Sequence, residues 1–325
     1  MAECGYEFTT MGDHNIARLT LIIIFVLGFV VTMVFNVLAG PGVAPFEQTT
    51  SNVSAKYDTE ITPSGWTFSI WGVIYTWLAV MLIYIVANIF RRNAYGRMYC
   101  SPPVLPYGFF FTWIFNFVAN IAWLLLWDRE EMVASFIFLA LIAFSNYAII
   151  FFACQGLNAY GAWLNKYHKV DLWCMRILVL NGIAVYTTWT SIATLLNLAI
   201  VTDYEAGMSR SDAATLSLSL LLAEVVVWFI LENFVIEKHV RYILTIYPVI
   251  IVALSGNMTK NYDAASPSRN GIFIAVLLAL ACLLFAIRIC LVVWRHKKRP
   301  LYEGPDGEEV MSPMAIAEKR KKILK

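Results

Sequence analysis

Trp113, Asn116, Asn120, Trp123 and Trp127 follow one another at intervals of three, four, three and four residues. On a helix that spacing places two amides and three indoles on one face. An amide in apolar surroundings must find a hydrogen-bond partner, so this face is expected to turn inward. Two readings stand side by side. The amides can be glue, bonded to the backbones of neighbouring helices, or they can join the indoles as donors on the wall of a ligand pocket. Asn120 fits the glue reading better, and Asn116 fits both.

A second set lies in ITPSGWTFSIWGVIY, Ile61 to Tyr75. Thr62 is expected to cap a helix there, with Pro63 in its first turn. Phe68, Trp71, Tyr75, Leu78 and Leu82 then share a face. Apolar packing is no driving force between helices in lipid, so an aromatic stripe needs another reason. Trp71 and Tyr75 read as pocket residues, and Trp66 as part of an interfacial belt. A third set, Gly182, Tyr186, Trp189, Ala193 and Asn197, repeats the pattern. Gly182 and Ala193 are expected to admit a neighbouring backbone. Thr187, Thr188, Thr190 and Ser191 can bond back to their own helix.

Glu224 stands in the middle of SLSLLLAEVVVWF. An intramembrane carboxyl is costly and is by default a functional candidate, for a ligand or a proton; the alternative is a neutral acid bonded to a neighbouring helix. Glu232 is expected in solvent at the membrane edge. His14, His168, His239 and His296 fall in expected loops or tails, where none can ligate haem iron or another metal inside a bundle. No nucleophile elbow, phosphate loop, dinucleotide fingerprint or acid–base pair is present. The expectation is a protein that is not an enzyme and has no nucleic-acid partner.

These side chains need helices in a bilayer to hold them. The chain has 325 residues, 60% hydrophobic and 14% charged, with mean hydropathy +0.67. Soluble domains carry about 25% charged residues, so the fold class expected is an all-α polytopic membrane bundle. Eight spans are expected: 19–38, 66–90, 107–127, 132–153, 172–201, 213–231, 242–254 and 272–293. The seventh is short and contains Pro248. Charge favours its crossing: with eight spans, one side holds nineteen Lys and Arg and the other five. That asymmetry places both termini in the cytoplasm. The implied organisation is a cytoplasmic segment 1–18, a bundle 19–201, further spans over 202–294 and a basic tail 295–325. The tail reads as solvated chain, or as an amphipathic basic segment touching anionic lipid.

Six cysteines fall in spans or on the cytoplasmic side, so no structural disulfide is expected. Asn52-Val53-Ser54 and Asn257-Met258-Thr259 are glycosylation sequons on the opposite side. Asn257 lies too near the membrane for a transferase, which leaves Asn52 as the candidate. A sequon there favours the secretory route or plasma membrane over the mitochondrial outer membrane.

Taken together, PSGWTFSIWGVIY, NIAW (Asn120 to Trp123) and YTTWTSIATLLN (Tyr186 to Asn197) resemble the translocator protein family, also called tryptophan-rich sensory protein or TspO/MBR. Asn36 matches a family asparagine near the end of the first helix. The resemblance covers about residues 19–201 and departs from typical members in the Trp66–Trp71 spacing, shorter by one residue, and in three further spans. It implies a five-helix bundle whose pocket takes flat hydrophobic molecules such as porphyrin, haem or sterol, with the first loop as a lid. It carries pocket roles over to Trp71, Tyr75, Asn120, Trp123, Tyr186 and Trp189, and it also implies a homodimer. The family's sterol-type motif has its only clean match at Leu164–Lys169, before the fifth span rather than near its end. The first functional expectation is therefore binding, transport or sensing of a hydrophobic small molecule. The others are a proton-coupled transporter using Glu224 and a ligand-free membrane adaptor.

Overall fold

The computed structural model describes residues 14–302 and 310–323; Cys4 and most of the expected N-terminal segment lie outside the described residues. Helix α1, Ile16–Ala39, starts where the Asn15 side chain accepts from the Arg18 amide at 2.9 Å. A loop carrying the short α2, Thr50–Lys56, leads to a tight turn, Gly65–Ser69, and then to α3, Ile70–Phe90. Thr62 does not cap this helix. Its hydroxyl accepts from the Thr59 amide at 2.9 Å and closes the turn before it.

A two-residue hairpin, β1 (Arg92–Asn93) paired with β2 (Gly96–Arg97), joins α3 to α4, Tyr107–Asp128. Helix α5, Met132–Tyr167, has 36 residues, about 54 Å at 1.5 Å per residue, and extends well past the expected end at Ala153. Nothing in 154–167 breaks a helix, and the extension packs on Val104 before α4 and on Tyr302. Gly156 is the closest approach: a Cβ there would meet the Val104 carbonyl oxygen at 1.6 Å.

Helix α6, Lys169–Cys174, passes through a wide turn, Met175–Leu180, into α7, Asn181–Ile200. Asn181 closes the wide turn by donating to the Arg176 carbonyl at 2.8 Å. Then come α8 (Arg210–Ile230), the single turn α9 (Glu237–Val240), α10 (Ile246–Asn261) and α11 (Arg269–Lys298). Ser209 and Ser268 cap α8 and α11. The chain ends in α12, Pro313–Ile323, packed on α5. Of the two tail readings, solvated chain and amphipathic segment, the helix over 313–323 departs from the first. Val310 and Ile316 are the apolar contacts that hold it.

Among the described residues seven helical runs are long and apolar enough to cross a membrane, one fewer than the eight spans expected, and the protein is an all-α integral membrane bundle; the expected seventh span is not among the seven. Helix α10, with 16 residues, is the short one. It nevertheless joins the two ends. Tyr242, before it, bonds His296 at the end of α11, and Asn261, at its close, donates to Thr62 in the first loop.

The core centres on α7, which is buried on all sides from Asn181 to Ala193. It packs against α3, α5, α8 and α10. Thr187, Thr188 and Ser191 donate to carbonyls four residues back, so a helix with many hydroxyls can be buried without penalty. Gly182 admits a side chain rather than a backbone: a Cβ there would meet Trp77 Cδ1 at 2.7 Å.

The five cations at the first-loop end are all paired. Lys56 meets Glu130, Arg129 meets Glu47, Arg210 and Lys260 meet Asp58, and Arg269 meets Asp212.

Candidate ligand-binding site

A cavity of 310 Å³ lies between α1, α3, α4 and α7, under α2. Its walls are the aromatic residues the spacing singled out. Trp71 stacks on Tyr75 at 5.6 Å between ring centres and lies 6.2 Å from Trp123 at 30°. Trp189 meets Trp71 edge-on at 6.1 Å. Such pairs contribute roughly 0.5–1.5 kcal/mol beyond simple burial, enough to hold the rings as a fixed surface.

Three buried polar atoms of lining residues have no hydrogen-bond partner among the described residues: Trp123 Nε1, Trp189 Nε1 and Asn197 Oδ1. Buried donors and acceptors are normally satisfied, so each unpaired one needs an explanation.

Of the expected pocket residues, Trp71, Tyr75, Trp123, Trp189 and Asn197 line this cavity. Asn116, Asn120 and Tyr186 do not; they lie beside it in a polar relay. Tyr75 donates to Asn36 Oδ1 at 2.5 Å, and Asn36 Nδ2 donates to Asn120 Oδ1 at 2.8 Å. Asn120 donates to the Tyr186 hydroxyl at 3.3 Å, and Tyr186 donates to Asn116 Oδ1 at 3.2 Å. Asn116 in turn reaches Ser145 at 2.8 Å and Asn146 at 3.0 Å, and Asn146 reaches Thr190 at 3.2 Å. The relay ties α1, α3, α4, α5 and α7 together, so both asparagines of α4 act as glue. Tyr186 also supports the Trp71 ring from behind at 6.3 Å.

The first loop closes the cavity. Thr50, Ser51 and Ser54 of α2 line it from above. Asp128 holds the loop down: its carboxylate accepts from the Glu47 amide at 2.9 Å and the Gln48 amide at 3.0 Å. Trp127 Nε1 donates to the Thr50 carbonyl at 3.2 Å. Glu130 accepts from Lys56, from Gln48 at 2.9 Å and from Tyr57 at 3.0 Å. These donors, Lys56 first, pull the Glu130 carboxyl down to about 2. The sequence reading missed Asp128. Its position was the signal, because an acid at the C-terminal end of a helix opposes the helix dipole and calls for donors.

A family model described as TSPO-like protein matches residues 22–293. The chain belongs to the TSPO-like family. No curated protein and no solved structure matches it. The matched range runs beyond residue 201, where the motif resemblance stops, and takes in α8, α10 and nearly all of the apolar part of α11. Family and buried aromatic cluster together fit a membrane small-molecule binding protein.

Two acids of this TSPO-like chain lie elsewhere. Glu224 is outside the aromatic cavity and lines a second one, between α5, α7, α8 and α10. Glu232 is not solvated, contrary to expectation, but 0% exposed. Its carboxylate lies 3.2 Å from Arg288 Nε and accepts from the Tyr247 hydroxyl at 2.5 Å. Arg288, equally buried, also donates to the carbonyls of Glu232, Val240 and Arg241 and to Asn233 Oδ1. A basic residue near the end of a span looks like ordinary flanking charge, which is why Arg288 was only one of the nineteen Lys and Arg counted on that side. Asn52 is exposed on α2, whereas Asn257 is buried within α10.

Proposed function

We propose that this TSPO-like protein binds a flat hydrophobic molecule of the porphyrin class in the lidded cavity between α1, α3, α4 and α7. One observation carries the reading: two indole N–H groups and one amide oxygen stand unpaired on residues that line an aromatic cavity. A porphyrin offers both acceptors and N–H donors on a flat ring that stacks on indole. A sterol offers a single hydroxyl and no π-face, so porphyrin is the better chemical match. The 310 Å³ volume is at the lower end for ligand clefts, so the loop must lift to admit a macrocycle.

The test is titration of the purified full chain with protoporphyrin IX, read by quenching of tryptophan fluorescence. Saturable quenching that weakens about tenfold in Trp189→Leu and Trp71→Leu supports the reading. Quenching that does not saturate, or that is the same in both variants, overturns it. The reading is of binding rather than catalysis.

We further infer that the end rich in Lys and Arg faces the cytoplasm and that the lid faces the lumen or the exterior. The exposed Asn52 on α2 makes this accessible to a glycosidase. A mobility shift after digestion that disappears in Asn52→Gln supports the orientation. A mass measurement showing Asn52 unmodified on chain made in the secretory pathway counts against it.

A further inference from the structure

The second cavity, of 350 Å³, has a different character from the first. Glu224 is the one acid among its lining residues, and no Lys or Arg lines it. The Glu224 carboxyl has no hydrogen bond or ion pair with any described residue. The hydroxyls around it are already engaged. Thr187 and Thr188 bond their own helix, and Tyr147 and Ser191 bond each other at 2.6 Å. The remaining wall is aliphatic apart from the Cys154 thiol, the Gln155 amide, the His239 imidazole and the rings of Tyr147, Phe151, Trp228 and Tyr247.

The cavity opens sideways. Helices α5 and α8 both pack on α7, and their outer residues Phe151 and Val227 are 56% and 54% exposed. Glu224 is itself exposed on that side, on a helical run long and apolar enough to cross a membrane, so its outward face is expected to meet lipid. An acid left unpaired in such a place is costly, and a cation is its best partner. Aromatic rings favour the same guest, because a cation is attracted to their faces. A neutral alcohol or amide would satisfy one hydrogen bond and leave the charge uncompensated.

We propose that this cavity is a binding site for a lipid-soluble amine, a molecule with an apolar body and one protonated nitrogen that pairs with Glu224 and arrives from the bilayer. The site is separate from the porphyrin cavity and stands or falls independently of it.

The experiment uses the full chain in phosphatidylcholine nanodiscs at neutral pH, with radiolabelled N,N-dimethyldodecylamine as the probe and protein-free nanodiscs as the reference. Saturable binding of one amine per chain is expected, with dodecanol failing to compete. Glu224→Gln, which removes no hydrogen bond, is expected to weaken the amine about tenfold or more while leaving porphyrin quenching unchanged. Thr188→Phe, which fills the cavity, is expected to abolish amine binding. Equal binding in the wild type and Glu224→Gln, or equal competition by dodecanol, means simple partition into lipid and overturns the proposal. Should Glu224→Gln fail to fold, Thr188→Phe decides, and retained amine affinity in that variant overturns the proposal.

Discussion

Tyr75 donates its phenolic proton to Asn36 across the gap between α3 and α1, at 2.5 Å, and the same two residues line the aromatic cavity. The ring forms part of the wall while the hydroxyl anchors it. The binding surface and the interhelical scaffold thus share an atom group, and a change in one must be felt in the other.

Tyr75→Phe keeps the ring and removes the anchor. Single interhelical hydrogen bonds in bilayers contribute about 0.6 kcal/mol on average and up to about 1.7. A loss of that size is expected in unfolding from bicelles, with porphyrin affinity falling several-fold. An unchanged unfolding midpoint would show that the bond carries no weight.

Asp128→Ala frees the lid at its first hinge. Hydrogen bonds to a charged acceptor contribute about 1.5–3 kcal/mol each, and Asp128 takes two from the loop backbone. Amide exchange over residues 47–56 is expected to accelerate, and porphyrin dissociation in stopped flow to quicken by about tenfold or more. Equilibrium affinity should change less than the dissociation rate, because the lid gates both directions. A dissociation rate equal to that of the wild type would mean the loop is no gate.

Acid should release the second hinge. The Glu130 carboxyl titrates at about 2 in the folded protein against 4.5 when free. Its stabilising contribution is therefore complete above 4.5 and is lost as the pH falls from 4.5 toward 2. Exchange of the α2 amides is expected to rise across that window and to be shallower in Glu130→Gln. A profile identical in the two proteins would remove Glu130 from the account.

Helix existence, the membrane class and the cavity wall were legible because they depend on local periodicity. Trp71, Tyr75, Trp123, Trp189 and Asn197 each sit on the face their spacing assigns. Which amide becomes wall and which becomes glue was not legible. Asn116 and Asn120 share a face with the indoles, but their roles depend on Asn36, Asn146 and Tyr186, brought in from three other helices. Helix ends were less legible than helix centres. Even the caps went unread: Ser209 and Ser268 start α8 and α11 three residues before the expected 213 and 272, and α5 runs on past 153 because no residue stops it. Glu232 and Arg288 were misread for a related reason: pairing across 56 positions leaves no local trace.

The Glu232–Arg288 pair should respond unequally to its two deletions. Arg288→Met strands the Glu232 carboxylate together with the carbonyls of Val240 and Arg241, a loss of about 3–5 kcal/mol for breaking a buried pair. Glu232→Gln leaves Arg288 its four other acceptors and should cost clearly less. Unfolding of both variants in bicelles checks the order, and the reverse order would mean that the acid, not the arginine, holds the turn.

Helix α10 has 16 residues, about 24 Å of rise, against a hydrocarbon core of about 30 Å. Much of its surface faces protein, with Tyr247, Ile250, Ala253 and Leu254 buried. So short a segment has little to offer the lipid by itself during biosynthesis. Its neighbour α11 is 30 residues long and the most apolar of the spans. The two pack on each other along their length, so α11 supplies the apolar surface that α10 lacks and the pair is expected to settle as a hairpin. A nascent chain halted at Tyr262 is thus expected to leave α10 undocked until the last span emerges beside it.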